Sequence, residues 1–188
     1  MKQTIPKNVA KILRVLLLIA FVCDLLMLPL VPALVLLNGM EPLEALAVSG
    51  MPDAPIWLLA IFLMAWITVW SCGGHAVMLT LFLLFSGVCA AVLLWQGRRV
   101  LRTLLRGQPF SAENAVSLRR AAVCAFLISG AALVRTVSTA FWKGPGAALV
   151  SYTALFIPLF AMAGLLFLLL SGLFGQATAI KEENDLTI

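Results

Sequence analysis

Residues 56–95, "IWLLAIFLMAWITVWSCGGHAVMLTLFLLFSGVCAAVLLW", run for forty positions without a Lys, Arg, Asp or Glu. A helix needs roughly 18 or more apolar residues to cross a bilayer, and this stretch is only one of several long apolar runs in the chain. The 188 residues are 63% hydrophobic and 11% charged, with a mean hydropathy of +1.08. A soluble domain of this length cannot hide that much apolar surface. The expectation is a single integral membrane domain over residues 1–188, all-α, a polytopic membrane protein built as a four-transmembrane-helix bundle.

The first span is expected over residues 12–37. Lys2, Lys7, Lys11 and Arg14 precede it and Ala45-Leu46-Ala47 resembles a cleavage site, but the apolar run is longer than the 7–15 residues of a signal-peptide core, so an uncleaved span is expected. Pro29 and Pro32 should kink its outer half, which membrane helices tolerate where neighbours satisfy the freed carbonyls. Residues 38–55 hold Glu41, Glu44, Asp53, three prolines and two glycines, with no Lys or Arg, the composition of an outside loop.

Length alone allows two crossings within residues 56–95. Two crossings would place Arg98, Arg99, Arg102 and Arg106 on the side of the acidic loop, against the positive-inside bias. One crossing, over residues 75–95, places them inside. Residues 56–70 then form an outer interfacial or re-entrant helix. Fifteen residues give about 22 Å of helix, short of the roughly 30 Å hydrocarbon core. Trp57, Trp66 and Trp70 suit the interface.

Beyond Trp95 the helical pattern turns amphipathic. Val100, Leu101, Leu104 and Leu105 fall on one side and the four arginines on the other. A cytoplasmic amphipathic connector along the inner surface is expected over residues 96–120, broken at Gly107 and Pro109. "FSAENAVSLRR" then restarts a helix in water: Ser111 as N-cap, Glu113 in the positive first turn, and Phe110 stapling onto Ala115. The third span is expected over residues 121–140 and the fourth over 149–174, with a cytoplasmic tail over 175–188. Eleven of the thirteen Lys and Arg then fall inside, together with both termini. The net charge of +5 thus reads as the cytoplasmic face and its contact with anionic headgroups, with no direct nucleic acid binding expected.

"GQPFSAENAVSLRR" between the second and third spans, paired with the terminal "KEENDLTI", resembles the YoaS-like family of small bacterial four-span membrane proteins of unknown function. The segment from Gly39 to Gly74 is longer than the family pattern. The resemblance implies a bacterial inner-membrane location. Because family members are frequent neighbours of small helix-turn-helix regulators, it also implies a regulatory or stress role. It supplies no catalytic residues.

Within the spans the ionisable residues are Asp24 and Arg135, and intramembrane charge is costly enough to suggest a partner or a function. Three readings stand: an Asp24–Arg135 pair tying spans one and three, Arg135 snorkelling outward with Asp24 near bundle water, or a proton or ion relay. Six arginines, Arg98, Arg99, Arg102, Arg106, Arg119 and Arg120, form a candidate inner-face patch. The acidic tail, Glu182, Glu183 and Asp185 with Leu186 and Ile188, is a candidate latch that docks on it. Cys72 and His75 lack further ligands for a metal, and Cys23, Cys89 and Cys124 read as packing residues, so neither metal nor cofactor is expected. Ser171 and Gly175, and Gly164 and Gly172, are spaced for close helix packing within the chain.

The chain has no nucleophile elbow, phosphate loop, HExxH or paired carboxylates on one face, so no catalytic residue and no enzyme is expected. Two functions follow. One is a non-enzymatic membrane protein acting through lipid or protein contacts, with another membrane protein, a cytoplasmic regulatory protein or a second copy of itself as partner. The alternative is a small transporter or channel subunit that works as an oligomer.

Overall fold

A computed structural model describes residues 7–37, 62–71, 73–106 and 111–186. They form α1 (Lys7–Leu37), α2 (Gly74–Leu105), α3 (Ala112–Lys143), the short α4 (Pro145–Leu149) and α5 (Tyr152–Leu186), with residues 62–68 also helical. Four of these are long and apolar enough to cross a membrane: Ile12–Leu36, Gly74–Leu105, Ala112–Lys143 and Tyr152–Lys181. The chain is a multi-pass, all-helical membrane protein.

The helices pack in the order α1 against α2, α2 against α3, and α3 against α5. α3 is the hub, with 39% of its apolar window buried against 17% for α2 and 11% each for α1 and α5. Its sequence explains why. Asn114, Leu118, Ala121, Ala125, Ile128, Ala132, Arg135 and Thr139 are all buried and recur at alternating steps of four and three, a heptad seam. Half of these side chains, Ala121, Ala125, Ala132 and Thr139, are small, which lets neighbours approach closely where no hydrophobic gain is available between helices in lipid. Ala121, Ala122, Ala125 and Ala132 are 0–4% exposed. On the flanking helices the large residues turn outward, Leu26 at 62% and Leu169 at 66% exposure, as lipid-facing surfaces do.

Polar bonds fix the seams. Two hydroxyls donate across the α3–α5 seam: Ser129 of α3 to the Ile157 carbonyl (2.8 Å) and Ser171 of α5 to the Ala115 carbonyl (2.8 Å). Between them Gly164 lies under the Phe126 ring, where an added Cβ would sit 3.0 Å from ring carbon. Gly172 and Gly175 face open space, so the small-residue spacing in "SGLFG" makes only part of this contact.

Beside Pro29 and Pro32 of α1, residues 62–71 pack against both α1 and α2. Val69 is fully buried against Val31 and Val35, with Leu79 and Leu83 of α2 beside them. The Trp66 indole donates to the Pro29 carbonyl (3.1 Å), next to the Leu28 carbonyl that Pro32 deprives of its helical donor. Met64, Ile67 and Trp70 point outward. The remainder of the expected 56–70 helix and the 38–55 loop lie outside the described residues.

Three expectations need correction. Residues 96–105 and 112–120 are not a separate helix along the surface: they continue α2 and α3 without a break. With 32 residues each, these helices are about 48 Å long, well over the roughly 30 Å hydrocarbon core, so both overrun it. Residues 175–186 are not a separate tail, because nothing after Phe174 breaks α5, whose last turns include the helix formers Lys181, Glu182 and Glu183. The fourth span is preceded by its own short helix, α4, entered through Gly144 at φ 89°.

Candidate functional site

Where α2 and α3 overrun the membrane they form a polar end held by a few specific contacts. Asn114 is completely buried, and the Thr103 hydroxyl lies 2.6 Å from its side-chain amide and 2.7 Å from the Val100 carbonyl. A hydroxyl has one proton, so turning the amide to present its NH2 to Thr103 satisfies both contacts. Arg99 pairs with Glu113 at 3.4 Å, both well exposed, a bond of about 0–1 kcal/mol. Glu113 therefore meets a specific arginine as well as the helix N-terminus. Ser111 occupies the N-cap position with extended backbone, but its hydroxyl makes no capping bond. The Asn114 N–H that it would cap is taken by Ser111's own carbonyl at 2.9 Å. Phe110, the expected staple, lies outside the described residues.

The six-arginine patch divides. Arg98, Arg99, Arg102 and Arg106, with Trp95, Thr103 and Glu113, line a hollow of about 300 Å³. The Arg98 guanidinium lies over Phe21 (5.4 Å) and Trp95 (6.0 Å), and this stack joins α1 to α2 at the edge of the apolar zone. Arg119 and Arg120 are exposed and do not border the hollow, because the inward positions of α3 here are Leu118 and Ala121.

Of the expected latch, the described Glu183 stands away from Arg119 and Arg120. Ser171 is level with Ala115, so α5 carries the exposed Glu183 roughly 12 Å past Ser111, at the start of α3. Leu186 ends the same helix, the side chains of Glu182, Asp185 and Leu186 are not described, and Ile188 lies outside the described residues.

Asp24 and Arg135 do not meet. Asp24 faces a cavity of about 250 Å³ between the helices, with Leu28, Ser86, Gly87, Ile128 and Phe156, and its Oδ2 has no hydrogen-bond partner. Arg135 lies over the rings of Phe82 (5.5 Å) and Tyr152 (5.8 Å), joining α2, α3 and α5. Gly87 and Phe82 are five residues apart on α2, so the two charges differ in depth by about 7 Å. α1 packs on α2, not on the α3 face that carries Arg135, and the aromatic rings hold the guanidinium where it is. His75 lines a gap of about 10 Å³ with Arg135, Ser138, Thr139 and Trp142. No metal-binding cluster is present among the described residues, and Cys72 is not one of them.

Sequence reasoning overlooked Asn114, Gln96 and Thr80, all buried polar residues. The signal was there for Asn114, which opens the heptad seam of α3. Gln96 follows Phe82 and Cys89 at steps of seven on the buried side of α2, a register that marks it as inward, whereas Thr80 stands outside that spacing.

The profile of a family of proteins of unknown function, DUF2975, matches residues 56–188, more than two thirds of the chain. The chain belongs to the DUF2975 family. The match supports the coarser part of the resemblance, an uncharacterised family, and does not carry the YoaS-like label. No curated protein and no solved structure matches the chain. The matched region of this DUF2975 protein holds the arginine hollow and Arg135, whereas Asp24 and α1 precede it.

Proposed function

We propose that this DUF2975 protein is a non-enzymatic protein of the bacterial inner membrane, with both termini cytoplasmic, that acts through its arginine end. That end contacts anionic headgroups and, in a regulatory or stress role, a membrane or cytoplasmic protein partner. The observation that carries this reading is the hollow of about 300 Å³ bordered by four arginines, with Glu113 the one acidic residue among the described lining residues. Juxtamembrane basic groups attract anionic lipid by about 1 kcal/mol each, or roughly fivefold per charge.

The test is phospholipid retention by the full chain in nanodiscs of mixed phosphatidylcholine and phosphatidylglycerol. Changing Arg98, Arg102 and Arg106 together to Gln should lower retained phosphatidylglycerol by tenfold or more at low salt, with a smaller deficit as salt screens the charges. Changing Arg119 and Arg120 to Gln should have a lesser effect. Unchanged retention in the triple variant would remove the basis of the proposal.

The alternative, a transporter or channel subunit working as an oligomer, draws support from Asp24, which faces an interior cavity with one unpartnered oxygen. Proton or cation flux in proteoliposomes, abolished by Asp24→Asn, would favour it over the contact reading.

A further inference from the structure

Inside a membrane a guanidinium has two kinds of surface to satisfy. Its faces can lie against aromatic rings, but its N–H edges need acceptors. Arg135 has the first and lacks the second. Phe82 and Tyr152 cover its faces, it is only 8% exposed, and its Nη1 has no hydrogen-bond partner. The hydroxyls of Ser138 and Thr139 beside it donate to backbone carbonyls of their own helix. The other described span charge, Asp24, lies about 7 Å deeper in the bundle and on another face.

Arg135 also ends a groove. Between α2 and α3 runs a cleft of about 420 Å³, lined by Phe82, Phe85, Phe126, Gly130 and Val134, with Arg135 the one charged residue among the described lining residues. The cleft starts near the end of the bundle marked by Trp142, whose indole packs on Gly74, and runs toward the middle of the spans at Phe85 and Phe126. Gly130 leaves its floor empty: a Cβ there would meet nothing within 4 Å.

We infer that this cleft binds a single-chain carboxylate amphiphile, a fatty acid, drawn from the leaflet at the Trp142 end. The carboxylate accepts from the Arg135 guanidinium where it borders the cleft, and the acyl chain lies along Phe82, Phe85 and Phe126 toward the bilayer centre. This is the orientation that a lipid of that leaflet already has. One chain fits because the cleft is one continuous groove between two helices. A carboxylate fits because it can enter the apolar depth at which Arg135 sits, about 12 Å along α3 from Lys143. Chain burial gives no selectivity, since lipid tails are as apolar as the groove. Preference for this site must come from the head, and a hydrogen-bonded charge supplies roughly tenfold or more.

The test uses the full chain in phosphatidylcholine nanodiscs with a photoreactive fatty acid, and the matching fatty alcohol as the neutral probe. The acid should label α2 and α3 at the cleft at least tenfold more than the alcohol. Arg135→Gln should bring the acid down to the level of the alcohol, and Arg135→Lys should restore part of the difference. Gly130→Leu fills the groove while leaving Arg135 in place, so it should reduce labelling even if Arg135→Gln folds poorly. Unlabelled palmitate should compete, and phosphatidylglycerol, a two-chain anion, should compete far less. Equal labelling by acid and alcohol, no loss in Gly130→Leu, or equal competition by phosphatidylglycerol would each overturn the assignment. These readouts concern Arg135 and the cleft, at the opposite end of the bundle from the arginine hollow, so their failure leaves the function proposed above untouched.

Discussion

Asp24 and Arg135 illustrate what one residue's position in a sequence can and cannot convey. Counting helix rise from Arg14 and Arg120 gives depths that differ by about 7 Å, and the structure returns about the same difference. The seam spacing of α3 likewise marks Arg135 as inward. Which helix lies beside which is a property of packing, however, and no count along the chain supplies it. α1 lies on α2, and the rings of Phe82 and Tyr152 occupy the position in which an Asp24 partner would have to stand. Residues without contact add independently, so Asp24→Ala and Arg135→Ala should change unfolding free energy additively to within about 0.5 kcal/mol. A double-mutant cycle on the purified protein measures this, and a coupling of 1 kcal/mol or more would mean that the two groups interact. At the other end of α3, Asn114→Ala should cost about 1–3 kcal/mol, because it takes a buried partner from Thr103. Thermal unfolding in detergent is the readout, and an unaffected Asn114→Ala protein would show that the contact contributes nothing.

Among the elements, α3 and α5 are coupled by close approach, and the glycines of α5 separate into two kinds. Gly164 sits under Phe126 with no space for a larger residue, so Gly164→Leu should destabilise by about 1–3 kcal/mol through overpacking. Gly172 and Gly175 face open space within a helix, so Gly172→Ala should be neutral or stabilising by up to about 1 kcal/mol. Equal loss of stability in both variants would mean that Gly172 meets a surface outside the chain. Spacing alone treats Gly164, Gly172 and Gly175 alike, because it reports which residues share a face and not how far a neighbouring helix extends. The same gap separates the expected connector from the observed one. Amphipathicity correctly marks residues 96–105 as helical with arginines on one side. It does not say whether such a helix lies down on the membrane or stands on the end of α2, and Thr103, Asn114 and the buried Leu101 decide for standing. The terminal acidic residues suggest by charge a tail that docks on the arginines, whereas α5 continues as one helix to Leu186 and carries Glu183 past the level of Ser111.

For the whole molecule, the number of spans was readable because long apolar runs have few alternatives, and four long helices stand where the runs are. The structure also gathers charge by end. The start of α1, the close of α2, the opening of α3 and the close of α5 carry Lys181 and every arginine except Arg135, whereas Arg135 and Lys143 lie toward the other end. By the positive-inside bias, the end of the bundle that carries the arginine hollow is expected to face the cytoplasm and the Lys143 end to face out. The direct measurement is accessibility of single cysteines, Gln108→Cys and Gly146→Cys, in a background free of the native cysteines. A membrane-impermeant maleimide is applied to spheroplasts before and after permeabilisation. The account predicts that Gly146→Cys reacts at once and that Gln108→Cys reacts only after the membrane is opened. Reaction of Gln108→Cys in sealed spheroplasts, or protection of both sites to the same extent, would contradict it.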